Sequence, residues 1–145
     1  MNNSRLDETT RLYLDSNIII YYVQGDADRQ RQVDALLTEA LSRDIALIAN
    51  EIVVCECLYG AYRLGQPTVE AAYRSLFFDS GLITVVPADF RLLDDAARIG
   101  AAKGLRLLDA SHYCSAIDFG CECLVTNDMK FVSDEALRII QLSDW

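Results

Sequence analysis

Short apolar runs alternate with longer segments of helical periodicity along this chain, and this alternation restricts the possible folds more than any other feature. Five runs read as buried strands, at 12–14, 45–49, 82–86, 123–126 and 139–142. Strands that alternate with helices form a parallel sheet covered by helices on both faces. The sequence therefore predicts a single α/β domain over residues 1–145, in which a polar leader at 1–10 is loose.

The helical segments carry their own start and stop signals. Asn50 can cap a helix that ends at Gly65, and Asp109 begins another that ends at Gly120. The predicted helical segments are 33–41, 50–65, 67–77, 89–104 and 109–120.

Charge and composition exclude several classes of protein. The 13 lysine and arginine residues against 22 aspartate and glutamate residues leave a net charge of −9, which argues against a basic protein that coats nucleic acid. The negative net charge is compatible with an enzyme that binds phosphate groups through a metal ion. The apolar run at 18–23 is too short to span a membrane, so a cytoplasmic protein is expected. The five cysteines fit free thiols in a reducing compartment better than a zinc site.

Four acidic residues stand at strand ends or within helices that face the same predicted region. Asp15 follows the first strand, Asp128 follows the fourth, Glu56 lies in an apolar helix and Asp109 begins a helix. Each has an ordinary structural explanation: Asp15 as the cap of the next turn, Asp109 as a helix cap, Asp128 as a turn residue, and Glu56 as the partner of an arginine. Together they form the oxygen-donor set that Mg²⁺ or Mn²⁺ prefers.

Four motifs around these acids resemble one known family. They are Leu14-Asp15-Ser16-Asn17, Glu56 with Leu58-Tyr59-Gly60-Ala61, Asp109-Ala110-Ser111-His112 and Val125-Thr126-Asn127-Asp128. In this order they resemble the PIN-domain ribonucleases, most closely the VapC-type toxins of toxin–antitoxin pairs, over 11–142.

The resemblance implies a five-stranded parallel sheet of order 3-2-1-4-5 with helices on both faces. This order puts Asp15 and Asp128 side by side where the winding direction reverses, which is where such sheets bind ligands. It implies a metal-dependent endoribonuclease in which Asp15, Glu56, Asp109 and Asp128 hold Mg²⁺ or Mn²⁺, and whose products carry a 5′-phosphate and a 3′-hydroxyl. It also implies three partners: an RNA substrate, an antitoxin helix and a second copy of the chain.

Several nearby residues have more than one interpretation. Ser16, Asn17, Thr126 and Asn127 can orient the carboxylates or a water, or they can satisfy the backbone of a turn, and the second interpretation is preferred for Asn127. His112, the only histidine, is interpreted as structural or as an outer contact of the site, and the alternative is a general base. The basic residues nearest the site are Arg106 and Lys130. The aromatic residues on adjacent helices belong to the core, or form a dimer contact or an antitoxin groove; they are Tyr59, Tyr62, Tyr73, Phe77 and Phe78.

Two other functions remain open at this point. A phosphatase of the haloacid dehalogenase type also ends its first strand in aspartate, but it expects a second aspartate where this chain has Asn17. A PIN-like domain that only binds a partner is the other alternative, although the chain retains all four carboxylates.

Overall fold

The computed structural model describes residues 4–145, in which five strands form one parallel sheet. The strands are β1 (Arg11–Leu14), β2 (Ala46–Asn50), β3 (Ile83–Val86), β4 (Cys123–Thr126) and β5 (Arg138–Gln141). Their order is β3-β2-β1-β4-β5, which confirms the predicted order. Because β1 pairs in parallel with both β2 and β4, the winding direction reverses at β1 and β4, and the ends of these strands open onto one crevice.

Six α-helices connect and cover these strands in the described part of the chain. They are α1 (Ser16–Gln24), α2 (Ala27–Ser42), α3 (Glu51–Leu64), α4 (Pro67–Arg74), α5 (Phe90–Lys103) and α6 (Leu107–Asp118). A π-helical segment, Ser75–Asp79, continues α4, and a 3₁₀ turn, Leu142–Asp144, follows β5. None of the helices within 4–145 combines the length and the apolar character that crossing a bilayer requires.

The helix α1 follows β1 after a single residue, and the sequence patterns did not predict it. Its β-branched isoleucines at 18–20 favour a strand. Asp15, however, adopts an extended conformation and caps the helix, and Ile18 and Ile19 are buried against the core. The predicted signals at the ends of α3 are confirmed, since Asn50 accepts a hydrogen bond from Val53 N at 3.0 Å and Gly65 ends the helix with a φ of 62°.

The start of α6 and the end of β5 differ from the predictions. The helix α6 begins at Leu107, so Asp109 lies in its first turn and Arg106 occupies the cap position. An acidic residue is favourable anywhere in a first helical turn, so the sequence did not distinguish the two positions. Leu142, predicted in the fifth strand, lies in the 3₁₀ turn instead.

The predicted loose leader is wrong for residues 4–10, and residues 1–3 lie outside the described part. Leu6 is 1% exposed and belongs to the core cluster. Arg138 Nη2 donates a hydrogen bond to Arg5 O at 2.6 Å. The segment before β1 is therefore held by one buried leucine and by a contact with β5.

The aromatic residues of α3, α4 and the π-helical segment divide between core and surface. Tyr73 and Phe77 are buried, as expected for core residues. Tyr59, Tyr62 and Phe78 are 62%, 56% and 59% exposed, so these three are available for contacts with other molecules.

The five cysteines are free thiols, as predicted. Cys55 and Cys57 lie on different sides of α3, the first exposed and the second buried. Burial raises the pKa of Cys114 to about 11 and that of Cys121 to about 12. These two thiols are therefore neutral and unreactive near pH 7.

Candidate active site

Asp15 is the most buried of the four predicted site residues, with 6% of its side chain exposed. Its Oδ1 accepts a hydrogen bond from Ser16 N at 2.8 Å. Its Oδ2 accepts hydrogen bonds from Thr126 Oγ1 at 2.7 Å and from Asn17 Nδ2 at 3.3 Å. Asp15 therefore caps α1 and also presents a carboxyl group at the crevice, so the two interpretations of this residue are compatible.

The environment of Asp15 disfavours its negative charge. Burial raises the pKa of this carboxyl above its ordinary value, and the nearby His112 and the hydrogen bonds from Thr126 and Ser16 oppose that rise. No arginine or lysine within residues 4–145 forms an ion pair with Asp15. The nearest basic group is His112, whose Nε2 lies 3.7 Å from Asp15 Oδ1. Because burial of a carboxylate is costly, a bound cation would stabilise this site further.

His112 joins three elements of the fold beside Asp15. Its Nε2 lies 2.7 Å from Glu56 Oε1 on α3 and 3.7 Å from Asp15 Oδ1. Its Nδ1 lies 2.9 Å from the hydroxyl of Tyr13 on β1. The imidazole is 1% exposed, whereas 33% of the Glu56 side chain is exposed. Glu56 is therefore held by a histidine and not by an arginine.

Asp109 lies one helical turn before His112 on α6. Its Oδ2 accepts a hydrogen bond from Arg106 Nε at 3.2 Å. The Arg106 side chain is 75% exposed and that of Asp109 is 15% exposed. An ion pair with so exposed a partner contributes little, so Arg106 restrains Asp109 only weakly.

Asp128 is partly buried and connects to Asp15 through Thr126. The Asp128 N–H donates to Thr126 Oγ1 at 2.9 Å, and the same oxygen donates to Asp15. The Asp128 Oδ1 accepts from Lys130 N at 2.9 Å, as an ordinary turn aspartate does. Thr126 therefore ties the loop after β4 to the carboxylate after β1.

The structure gathers the predicted site residues only in part. Asp15 and Glu56 meet at His112, Asp128 reaches Asp15 through Thr126, and Asp109 contacts Arg106. Within the described residues, no three acidic, histidine or cysteine side chains are grouped as ligands of one metal ion. The donor set of carboxylate oxygens still suits a hard divalent cation, and the burial of Asp15 without an arginine or lysine partner favours one.

A cleft of about 590 Å³ opens beside Glu56, between α1, α3 and α6. Its lining is mostly apolar and includes Ser16, Ile20, Ile52, Cys55, Glu56, Tyr59 and Leu108. The cleft therefore adjoins the candidate site at Glu56 and offers an apolar surface to which an apolar group can bind.

Sequence patterns missed two contributors to this region. The apolar run of β1 indicates only a core position for Tyr13, and it carries no signal for the hydroxyl that contacts His112. The sequence predicts a turn role for Asn127, but its Nδ2 donates to Tyr21 OH at 3.0 Å on α1. Asn17 Oδ1 accepts from Asn127 N at 3.1 Å, so two amide side chains join α1 to the loop after β4.

The sequence pattern that describes the PIN domain matches residues 12–133. Among curated protein sequences, none matches this chain. The PIN match includes all four predicted site residues, because they lie between residues 15 and 128.

Several solved structures share the fold. DNA-bound VapBC from Salmonella typhimurium superposes with a TM-score of 0.69 at 20% identity, covering 91% of this chain and 98% of that one. VapBC2 from Rickettsia felis, bound to a promoter DNA fragment, has a TM-score of 0.63 at 21% identity, covering 90% and 98%. VapC20 of Mycobacterium tuberculosis, a sarcin–ricin loop cleaving toxin, has a TM-score of 0.65 at 12% identity, covering 78% and 86%.

Proposed function

Because this chain belongs to the PIN-domain family, we propose that it is a metal-dependent endoribonuclease and the toxin of a toxin–antitoxin pair. The observation that supports this most is Asp15, a buried carboxyl group at the reversal point of the sheet with no arginine or lysine paired to it within 4–145. Such a residue is expected where a cation binds.

The residues that would hold the cation are Asp15, Glu56, Asp109 and Asp128. An ion of Mg²⁺ or Mn²⁺ held there would lower the pKa of a bound water and neutralise charge on the scissile phosphate. Thr126 and Asn17 both hold Asp15 Oδ2, so they fix the direction of that carboxylate. The N–H of Ser16 fixes its other oxygen.

The charge of the chain supports a requirement for an ion. With a net charge of −9, the protein repels the phosphates of RNA unless a cation lies between the carboxylates and the substrate. Arg106 and Lys130 are exposed and adjacent to the site in sequence, so they are the proposed contacts for flanking phosphates. We expect products with a 5′-phosphate and a 3′-hydroxyl.

Cleavage of an end-labelled RNA by the purified chain tests this function. We expect cleavage with Mg²⁺ or Mn²⁺, and a loss of at least about 100-fold after EDTA treatment that added Mn²⁺ reverses, because an ion supplies several kcal/mol of charge stabilisation. Release of phosphate from a small phosphoester without RNA cleavage would support the haloacid dehalogenase alternative. Neither activity, with no stabilisation by Mg²⁺, would support a binding module.

We propose that the cleft beside Glu56 receives an amphipathic segment of an antitoxin. Its apolar lining fits the apolar face of a helix, and Glu56 at its edge fits a basic side chain of that helix. The structural relatives from Salmonella typhimurium and Rickettsia felis are VapBC assemblies, which supports a protein partner of this type. A homodimer stays a prediction, supported by the exposed Tyr62 and Phe78.

Tyr59→Ala tests the antitoxin cleft, with Tyr62→Ala as its matched control on the same helix. Tyr59 lines the cleft, whereas Tyr62 contacts Glu70 and Arg74 instead. We expect Tyr59→Ala to weaken the complex with the product of the neighbouring reading frame about tenfold or more, since buried aromatic anchors dominate such interfaces. Affinity is measured by calorimetry, and equal losses in both variants would contradict the proposed location.

A further inference from the structure

His112 is the only histidine of the chain, and it occupies an unusual position for one. It is 1% exposed, and its Nε2 lies within 4 Å of a carboxylate oxygen of both Asp15 and Glu56. Its other ring nitrogen contacts the buried hydroxyl of Tyr13. Neither ring nitrogen is therefore free to contact solvent or a substrate.

The hydrogen bonds around the ring indicate which of its nitrogens donates. A carboxylate only accepts hydrogen bonds, so the Nε2, 2.7 Å from Glu56 Oε1, is the donor of that contact. In a neutral imidazole the Nδ1 is then an acceptor, and Tyr13 must donate to it. Tyr13 can do so, because its oxygen already accepts from Asn50 N at 3.3 Å, which leaves its own proton for His112.

We propose that His112 is a positioning residue that orients Glu56 as a ligand of the divalent ion, through the hydrogen-bonded series Tyr13–His112–Glu56. The inference rests on the proposed function. His112 occupies Oε1 of Glu56 and leaves Oε2 available, and it restrains a side chain that is otherwise one-third exposed. Partners that orient metal ligands in this way strongly affect metal affinity.

The same geometry argues against a role for His112 as general base. A base must reach the proton that it removes, either directly or through one water. The Nε2 faces Glu56 and Asp15, the Nδ1 faces Tyr13, and the ring itself is buried. His112 therefore acts through Glu56 and not on the substrate.

The tautomer can be read directly, because a ¹⁵N-histidine-labelled sample contains one imidazole. In the ion-free protein we expect nitrogen NMR to show a protonated Nε2 and an unprotonated Nδ1. Adding Mg²⁺ is expected to shift the Nε2 resonance more than the Nδ1 resonance. The opposite tautomer, or an imidazole that does not respond to Mg²⁺, would overturn the proposal.

A pair of substitutions separates positioning from packing. His112→Gln can keep an N–H near the place of Nε2, facing Glu56, whereas His112→Asn keeps one near Nδ1, facing Tyr13. By calorimetry, we expect His112→Asn to weaken Mg²⁺ binding about 10- to 100-fold and His112→Gln to retain most of the affinity. A role in packing alone predicts similar losses in both variants, so similar losses would overturn the proposal.

If His112→Asn does not fold, Tyr13→Phe takes its place, because it removes the hydroxyl that holds Nδ1 of the ring while the aromatic side chain stays in the core. We then expect weaker Mg²⁺ binding than in the wild type, and unchanged affinity would overturn the proposal. Wild-type protein that binds no Mg²⁺ and cleaves no RNA would refute the proposed function itself. A His112→Asn variant that binds Mg²⁺ as tightly as the wild type would refute only the role of His112.

Discussion

Asp15→Asn is expected to reduce RNA cleavage by at least about 100-fold while leaving the fold intact. The substitution preserves the size of the side chain and one oxygen, but it removes the charge that would bind the ion. Loss of a few kcal/mol of charge stabilisation in the transition state corresponds to two or more factors of ten in rate. The rate of cleavage is measured with enzyme in excess over labelled RNA, in the presence of Mn²⁺.

The matched control is Asp118→Asn, which removes the same charge at the exposed end of α6. It changes the net charge of the chain equally but lies away from the crevice, so we expect cleavage at the wild-type rate. Wild-type rates for both variants would exclude Asp15 from the reaction. Equal reductions in both would attribute the effect to overall charge.

Mg²⁺ is expected to reverse the order of thermal stability between the wild type and Asp15→Asn. Without divalent ions the variant should be the more stable protein at neutral pH, because burial raises the pKa of Asp15 and makes its ionised form unfavourable in the folded state. A raised pKa in the folded state means that this carboxyl reduces stability as pH rises from its ordinary range through the raised value. The difference between the two proteins should therefore grow with pH across that interval.

With Mg²⁺ present, the wild type should gain stability from ion binding, and Asp15→Asn should gain much less. At 100 times its dissociation constant, an ion that binds only the folded state adds about 2.7 kcal/mol, or roughly 5–10 °C in midpoint for a chain of this size. Thermal unfolding with EDTA and then with Mg²⁺, at several pH values, measures both effects. A wild-type midpoint that does not respond to Mg²⁺ would remove the ion from the proposed mechanism.

The fold was predictable because its signals are local and repeated. Apolar runs marked all five strands, cap residues and helix-ending glycines marked most helix ends, and the family resemblance supplied the order of the sheet. The helix α1 was not predicted, because its isoleucines fit a strand pattern as well as a helical one. Local patterns also left Leu6 in a loose leader, because its burial depends on residues distant in sequence.

The site was predictable as a set of residue types and less so as a set of contacts. Asp15, Glu56 and Asp128 were chosen from their places at strand ends and in an apolar helix. Their actual partners come from elements far apart in the chain: His112 for Glu56, and Thr126 for both aspartates. A single sequence carries no direct signal for such pairings, and none of its patterns indicated the hydroxyl of Tyr13.

Cys55 lies in the lining of the cleft, while the other four cysteines are buried. A thiol-directed fluorophore should therefore attach at one place on the native protein, one residue from Glu56, without prior mutagenesis. The chain thus contains its own attachment point for an optical reporter, and a peptide that enters the cleft would change the emission of that dye.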